Sequence, residues 1–230
     1  MNELLTVESR RTRRPRAIIT FDDAYRGSVT AGVAELSKRG LPATIFVAPA
    51  FVGGRSFWWD ALASADGTIA DEIRNRGLTE FGGLDARVRT FALNQGLRER
   101  DLPEHACAAT EDELAMAVRT AGVMLGSHTW THCNLARATD QDVERELRQT
   151  MIWLRERYTS VISWLSYPYG LSRPGVDTIA QRLGYEGAVC IAGGWVRNAR
   201  LNRYSIPRLN VPSTLTREGF RLRTAGVVCS

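Results

Sequence analysis

Asp22 and Asp23 stand side by side directly after an apolar stretch, Ala17-Ile-Ile-Thr-Phe21. Two adjacent carboxylates at the end of a buried strand are costly unless each finds a partner. They suit a division of labour in which one binds a cation and the other accepts a proton. A helix cap or a salt-bridged turn would use the same residues without chemistry. His128 and His132 lie four residues apart in Ser127-His-Thr-Trp-Thr-His132. On a helical turn both imidazoles would face one side and bind one metal. No Glu follows His128, so the pair is not the H-E-x-x-H of zinc proteases. With one Asp it makes a three-ligand set that leaves a position open for water, the composition of a catalytic metal centre. A third polar cluster, Ser166-Tyr-Pro-Tyr-Gly170, follows another apolar stretch.

The elements that must gather these clusters are legible as alternating strands and helices. Residues 17–21 read as a buried strand, 30–39 as a helix ended by Gly40, and 43–48 as the next strand. This βαβ unit implies parallel pairing. From 51 to about 110 the pattern weakens, and Gly53-Gly54, Gly82-Gly83 and short helical pieces read as an irregular insertion. Beyond it, 111–121 reads as a helix and 123–126 as a strand. Residues 140–158 form the clearest helix, with Val143, Leu147, Met151 and Leu154 at helical spacing. Strand 161–165, helix 175–183 and strand 187–191 complete the alternation. An α/β fold follows, a closed or nearly closed parallel barrel with the insertion over its mouth. Sites in parallel α/β folds gather at the carboxyl ends of strands, so the three clusters would meet there.

A length of 230 residues with 44 % hydrophobic side chains supports one domain with a sizeable core. No apolar run is long enough to predict a membrane-spanning helix. The first residues, Met1-Asn-Glu-Leu-Leu-Thr-Val-Glu8, lack the basic-then-apolar pattern of a signal peptide. The expectation is a cytoplasmic protein, or an extracytoplasmic one if the chain is a processed form. The net charge of +5 is local, because five arginines fall between Arg10 and Arg16. Residues 1–16 therefore read as a basic arm, and 17–230 as a single domain. Such an arm could meet nucleic acid, phosphate or an anionic membrane. With no interleaved aromatics and no nucleic-acid motif, a solvated lead-in is expected, and no nucleic-acid partner. Cys107, Cys133, Cys190 and Cys229 form no C-x-x-C pair and read as free thiols.

Thr20-Phe-Asp-Asp-Ala-Tyr25 resembles the first motif of the polysaccharide deacetylases, the NodB-like carbohydrate esterase family 4. Ser127–His132 is similar to the second motif and Tyr167-Pro-Tyr-Gly170 to the third. The resemblance implies a distorted (β/α) barrel of about seven parallel strands. It implies Asp22 as general base, and Asp23, His128 and His132 as ligands of one divalent metal, zinc first, with cobalt, nickel, manganese or iron as substitutes. It implies that the backbone N–H of Tyr169 helps bind the oxyanion. The implied reaction is hydrolytic removal of an N-acetyl group from an amino sugar in a polysaccharide, an oligosaccharide or a sugar-carrier intermediate.

Two departures stand out. Ser166 occupies the place where many members carry an Arg that orients the base, and no His follows His132 to act as general acid. The surroundings of Ser166 and Ile206-Pro-Arg-Leu209 resemble instead the branch acting on poly-N-acetylglucosamine and on surface-polysaccharide sugars. Arg208 is expected to replace the missing Arg beside Asp22. His105 reads as a surface residue. Within Phe57-Trp58-Trp59-Asp60, Trp58 and Trp59 could stack on sugar rings and Asp60 bind hydroxyls, with Tyr25 and Pro168 as further substrate contacts. The same aromatics could simply pin the insertion to the barrel. The alternative function is a catalytically impaired sugar-binding protein of the same fold, though both acids and all metal ligands are retained. A two-His, one-carboxylate iron oxygenase would usually carry an H-x-D/E pair, which is absent.

Overall fold

Three residues of the first apolar stretch, Ile19–Phe21, form β1 in the computed structural model, which describes residues 17–196, 202–212 and 214–226. The basic arm and Cys229 lie outside those residues. A wide π turn over Ser28–Gly32 leads into α1, Val33–Ser37. β2, Ala43–Val47, is buried along its whole length, as a parallel strand covered on both faces should be. The insertion then holds α2 (Trp58–Ala61), α3 (Asp71–Thr79) and α4 (Asp85–Asn94). It is therefore more helical than its sequence suggests. Its helices are short and polar, and they bury mainly one another's few apolar residues: Trp58, Leu62, Ile73, Val88 and Ala92 form a separate small core.

The chain rejoins the sheet through α5 (Glu111–Ala117) and β3 (Val123–Ser127). The long α6, Asp140–Arg157, is capped by the Thr139 hydroxyl, with acids in its first turn and arginines in its last. That arrangement complements the helix dipole. Val143, Leu147, Met151 and Leu154 are buried against the sheet. β4 (Val161–Ser166), α7 (Val176–Arg182) and β5 (Gly187–Gly193) follow. Two elements escape the periodicity: β6 (Ile206–Arg208) and α8 (Arg217–Thr224). β6 has a proline at its centre, tolerable only because it is an edge strand that pairs on one side.

The six strands among the described residues are all parallel, and their order in the sheet is their order in the chain. The sheet curls into a half-barrel with β1 and β6 at its ends, the distorted parallel barrel expected, with six strands described where about seven were expected. Among the described residues no backbone pairing joins β6 to β1. A side chain crosses that seam instead: Arg208, the last residue of β6, donates to Thr20 Oγ1 in β1 at 3.0 Å. No helix among the described residues is long and apolar enough to cross a membrane. Cys107, Cys133 and Cys190 carry no disulfide.

The start of α5 ties the insertion to the loop after β1. Thr110 and Glu113 form a reciprocal capping box, and Arg26 pairs with Glu113 and with Glu104. Burial pushes the Glu113 carboxyl up, but the Thr110 N–H and Arg26 outweigh it, so it sits below its ordinary range. A carboxyl depressed on folding stabilises above its unfolded pKa and ceases to do so as pH falls through the folded one. Glu113→Ala should therefore lower unfolding free energy by about 1 kcal/mol at neutral pH. In urea titrations that difference should shrink as pH is taken below 4.5. A difference independent of pH would contradict the assignment.

Candidate metal centre and catalytic site

Four strands deliver their terminal residues to one place. Asp22 and Asp23 follow β1, His128 follows β3, Ser166 ends β4 and Arg208 ends β6. The backbone there is strained. Asp23, Ala24, Thr129, His132 and Tyr169 are the non-glycine residues with positive φ among those described, and all five lie in the three clusters. Each such residue costs about 1–3 kcal/mol and persists where surrounding structure, commonly at a functional site, holds it. His128 and His132 consequently do not share a helical turn, contrary to the sequence reading. Their loop runs through Thr129 at φ 62° and His132 at φ 54°, which turns the two rings together from a non-helical path.

Asp23 Oδ1, His128 Nε2 and His132 Nε2 converge. The carboxylate oxygen lies 3.4 Å from His128 Nε2 and 3.1 Å from His132 Nε2. The two nitrogens are 3.2 Å apart. Ligands about 2.0–2.1 Å from a tetrahedral zinc stand roughly 3.3 Å from one another. The donors fit such an ion in other respects too. Asp23 Oδ1 is buried and accepts no hydrogen bond among the described residues. His128 Nδ1 lies 2.7 Å from the Ser166 carbonyl oxygen, which can only accept, so its proton sits on Nδ1 and Nε2 presents a lone pair. Burial lowers the pKa of His128, yet Asp22 and Asp23 raise it further than burial lowers it; His132 is lowered, chiefly by burial. Two carboxylates beside two imidazoles make a place that draws a cation.

Asp22 faces the other way. Arg208 donates from Nη1 to its Oδ1 at 2.8 Å and from Nη2 to its Oδ2 at 2.6 Å, a bidentate pair. The Ser166 hydroxyl donates to Oδ2 at 3.1 Å and accepts from Arg208 at 3.0 Å. Arg208 Nε is held by the Cys190 carbonyl at 2.6 Å. Burial raises the Asp22 carboxyl, but the neighbouring His128 and Arg208 prevail and hold it below its ordinary value. Its side chain keeps 21 % exposure, so water reaches it.

The insertion roofs the candidate metal centre with aromatics. Around the His132 ring stand Tyr169 at 4.6 Å, Trp59 at 4.7 Å and Phe57 at 5.7 Å between centroids. Trp59 donates to the Tyr25 hydroxyl at 3.0 Å, which donates to Asp60 Oδ2 at 2.5 Å. Burial, foremost, raises both the Tyr25 phenol and the Asp60 carboxyl. Of the two rings that could line a sugar path, Trp58 is the one that packs inward. It is 1 % exposed, packs within the insertion, and spends its indole N–H on the Tyr169 hydroxyl at 2.9 Å. Pro168 is also buried and offers no surface to a substrate. Gly83 lets Tyr169 dock, since a Cβ there would meet the ring at 2.6 Å. His105 is exposed on a turn away from the ligand cluster.

Several partners were not legible in sequence. Thr20 and the Ser166 hydroxyl complete the cage around Arg208 and Asp22. Asp85 accepts the Trp58 backbone N–H at 2.9 Å and is itself held by Arg89, which fixes the Phe57–Trp59 turn. In sequence Asp85 is an ordinary acid at a helix start; no signal singles it out.

Residues 9–188 match the family model described as polysaccharide deacetylase. The chain belongs to that family. Arg208 lies beyond the matched span. Solved deacetylases share its fold. The deacetylase PplD of Streptococcus pyogenes, in complex with acetate, is 18 % identical, with TM-score 0.62 over 96 % of this chain and 75 % of that one. The deacetylase domain of BpsB from Bordetella bronchiseptica is 19 % identical, with TM-score 0.55 over 89 % and 76 %. IcaB from Ammonifex degensii is 16 % identical, with TM-score 0.58 over 88 % and 71 %. No curated protein sequence matches the chain. For this member of the polysaccharide deacetylases, Asp23→Ala and His128→Ala should each abolish stoichiometric zinc binding in elemental analysis after dialysis. Retention of one ion per chain by both variants would place the metal elsewhere.

Proposed function

We propose that residues 17–230 form one catalytic domain, a divalent-metal-dependent hydrolase that removes the N-acetyl group of an amino sugar. The observation that carries this reading is the juxtaposition of two carboxylates with opposite surroundings: Asp23 among imidazoles, and Asp22 in the grip of Arg208. Asp23, His128 and His132 would hold the ion, zinc foremost, which supplies Lewis acidity toward the acetyl carbonyl and acidifies water. Asp22 then takes the proton of the attacking water. Arg208 keeps Asp22 anionic and aimed, the task an Arg at the Ser166 position performs in many relatives. The backbone N–H of Tyr169, on a turn at φ 58°, is the donor we assign to the oxyanion. The chain has three His, of which His105 is exposed and the other two are ligands. Protonated Asp22 therefore returns its proton to the departing amine.

The sugar class we favour is poly-N-acetylglucosamine or a related surface polysaccharide or carrier-linked intermediate. It rests on the pairing of a motif-three serine with Arg208 in Ile206-Pro-Arg-Leu209. Trp59 offers the stacking face, and Tyr25 and Asp60 the polar contacts. Retention of base, ligands and base partner favours a working enzyme over a sugar-binding protein without activity.

Mass spectrometry of N-acetylglucosamine oligomers incubated with zinc-loaded and metal-stripped protein tests the activity: acetyl loss should appear with the loaded protein alone. Asp22→Asn should keep the metal and lower kcat by about 10²–10⁴; loss of metal on that change would reverse the two aspartates' roles. Trp59→Ala should raise KM more than it lowers kcat, the mark of lost uniform binding. Trp58→Ala should instead lower stability, by about 3–5 kcal/mol. KM and melting temperature measured on both variants decide the matter, and an unchanged KM for Trp59→Ala would remove it from the substrate path.

A further inference from the structure

Glu146 is a buried carboxylate that none of the chemistry above uses. It lies on the inner face of α6 among Val143, Leu147, Met151 and Leu154, and is 4 % exposed. An apolar side chain would suit that face, and a carboxylate there needs compensation. No Lys, Arg or His forms an ion pair with it among the described residues. One residue meets both of its oxygens instead. The Thr131 backbone N–H donates to Oε2 at 2.7 Å, and the Thr131 hydroxyl donates to Oε1 at 2.8 Å.

Thr131 immediately precedes His132 in the loop that carries two of the three ligand donors. The loop's ends are held differently. His128 is fixed through its own ring, by the Ser166 carbonyl. His132 Nδ1 is buried and has no hydrogen-bond partner among the described residues. Its backbone sits at φ 54°, a conformation that relaxes readily unless something holds it. The aromatic rings around His132 confine it laterally but give it no directed bond. Outside the cluster of Asp23 and the two imidazoles, the directed bonds nearest to it along the chain are the two that Glu146 accepts from Thr131.

We infer that Glu146 is a positioning residue for the metal centre: from α6 it clamps Thr131 and so sets the His132 imidazole at ligating distance. This rests on the metal reading proposed above, and it adds to the site a residue outside all three motifs. Gln at 146 can keep the clamp, because its carbonyl accepts the Thr131 N–H while its amide donates to the hydroxyl, which turns to accept. Leu at 146 removes both bonds. Val at 131 removes the hydroxyl half and keeps the backbone half.

The test is zinc affinity of the full chain by competition with a chromophoric chelator, with the cobalt(II) absorption spectrum as a second readout and circular dichroism to monitor folding. Glu146→Leu should weaken zinc about 10–100-fold and alter the cobalt bands. Glu146→Gln should stay close to the parent in both, and Thr131→Val should fall between. Parent-like zinc affinity in folded Glu146→Leu would overturn the inference, and so would Glu146→Gln as weak as Glu146→Leu. If Glu146→Leu does not fold, Thr131→Val decides: weakened zinc supports the clamp, unchanged zinc overturns it. A parent chain that binds neither zinc nor cobalt would overturn the metal reading itself, and the clamp with it. Tight parental binding that no variant disturbs overturns the clamp alone.

Discussion

Two neighbouring carboxylates are costly to bury at one strand end unless each finds compensation of its own, from a different direction. That constraint organises this molecule. Asp22 turns to a guanidinium and Asp23 to two imidazoles. The left-handed backbone at Asp23 and Ala24 belongs to the turn that carries the pair out of β1. Once divided, the two acids have different chemistry. The one beside Arg208 is an anion with hydrogen bonds on both oxygens, and the one beside the imidazoles has a bare, buried oxygen aimed where a cation would sit. The same side-chain type thus takes on two different characters through surroundings alone.

The fold's incompleteness serves that division. Among the described residues the strands do not close into a ring, and β6 reaches β1 through the Arg208 side chain rather than through backbone pairing. The arginine that holds Asp22 is therefore also what spans the seam. Asp22 thus takes its guanidinium partner from a residue 186 positions away in the chain. The insertion meets the same mouth from the opposite side, where Tyr169 links its roof to the third cluster through Trp58 and Gly83.

What could be read from sequence followed physical periodicity. β2 and α6 were plain because each buries a regular set of apolar residues, and the three polar clusters were plain because each follows such a strand. The insertion's helices were not, since α3 and α4 carry few apolar residues and bury them mostly against each other and Trp58. β6 was hidden by its proline. The histidine spacing was visible but its conformation was misread, because a separation of four suits a helical turn and a left-handed loop alike. Trp58 and Trp59 are the same residue type in adjacent positions, so only tertiary packing could separate a core ring from a ring beside the metal centre. Asp85, Thr20 and the Ser166 hydroxyl look ordinary in sequence, because their partners are remote in the chain.

The central claim is that the adjacent carboxylates are divided, one to the metal and one to Arg208. Anomalous diffraction at the zinc edge from crystals of the loaded protein addresses it directly. The account predicts a single ion about 2.0–2.2 Å from Asp23, His128 and His132, with Asp22 still paired to Arg208. An ion ligated by Asp22, or bridged between both aspartates with Arg208 displaced, would contradict it.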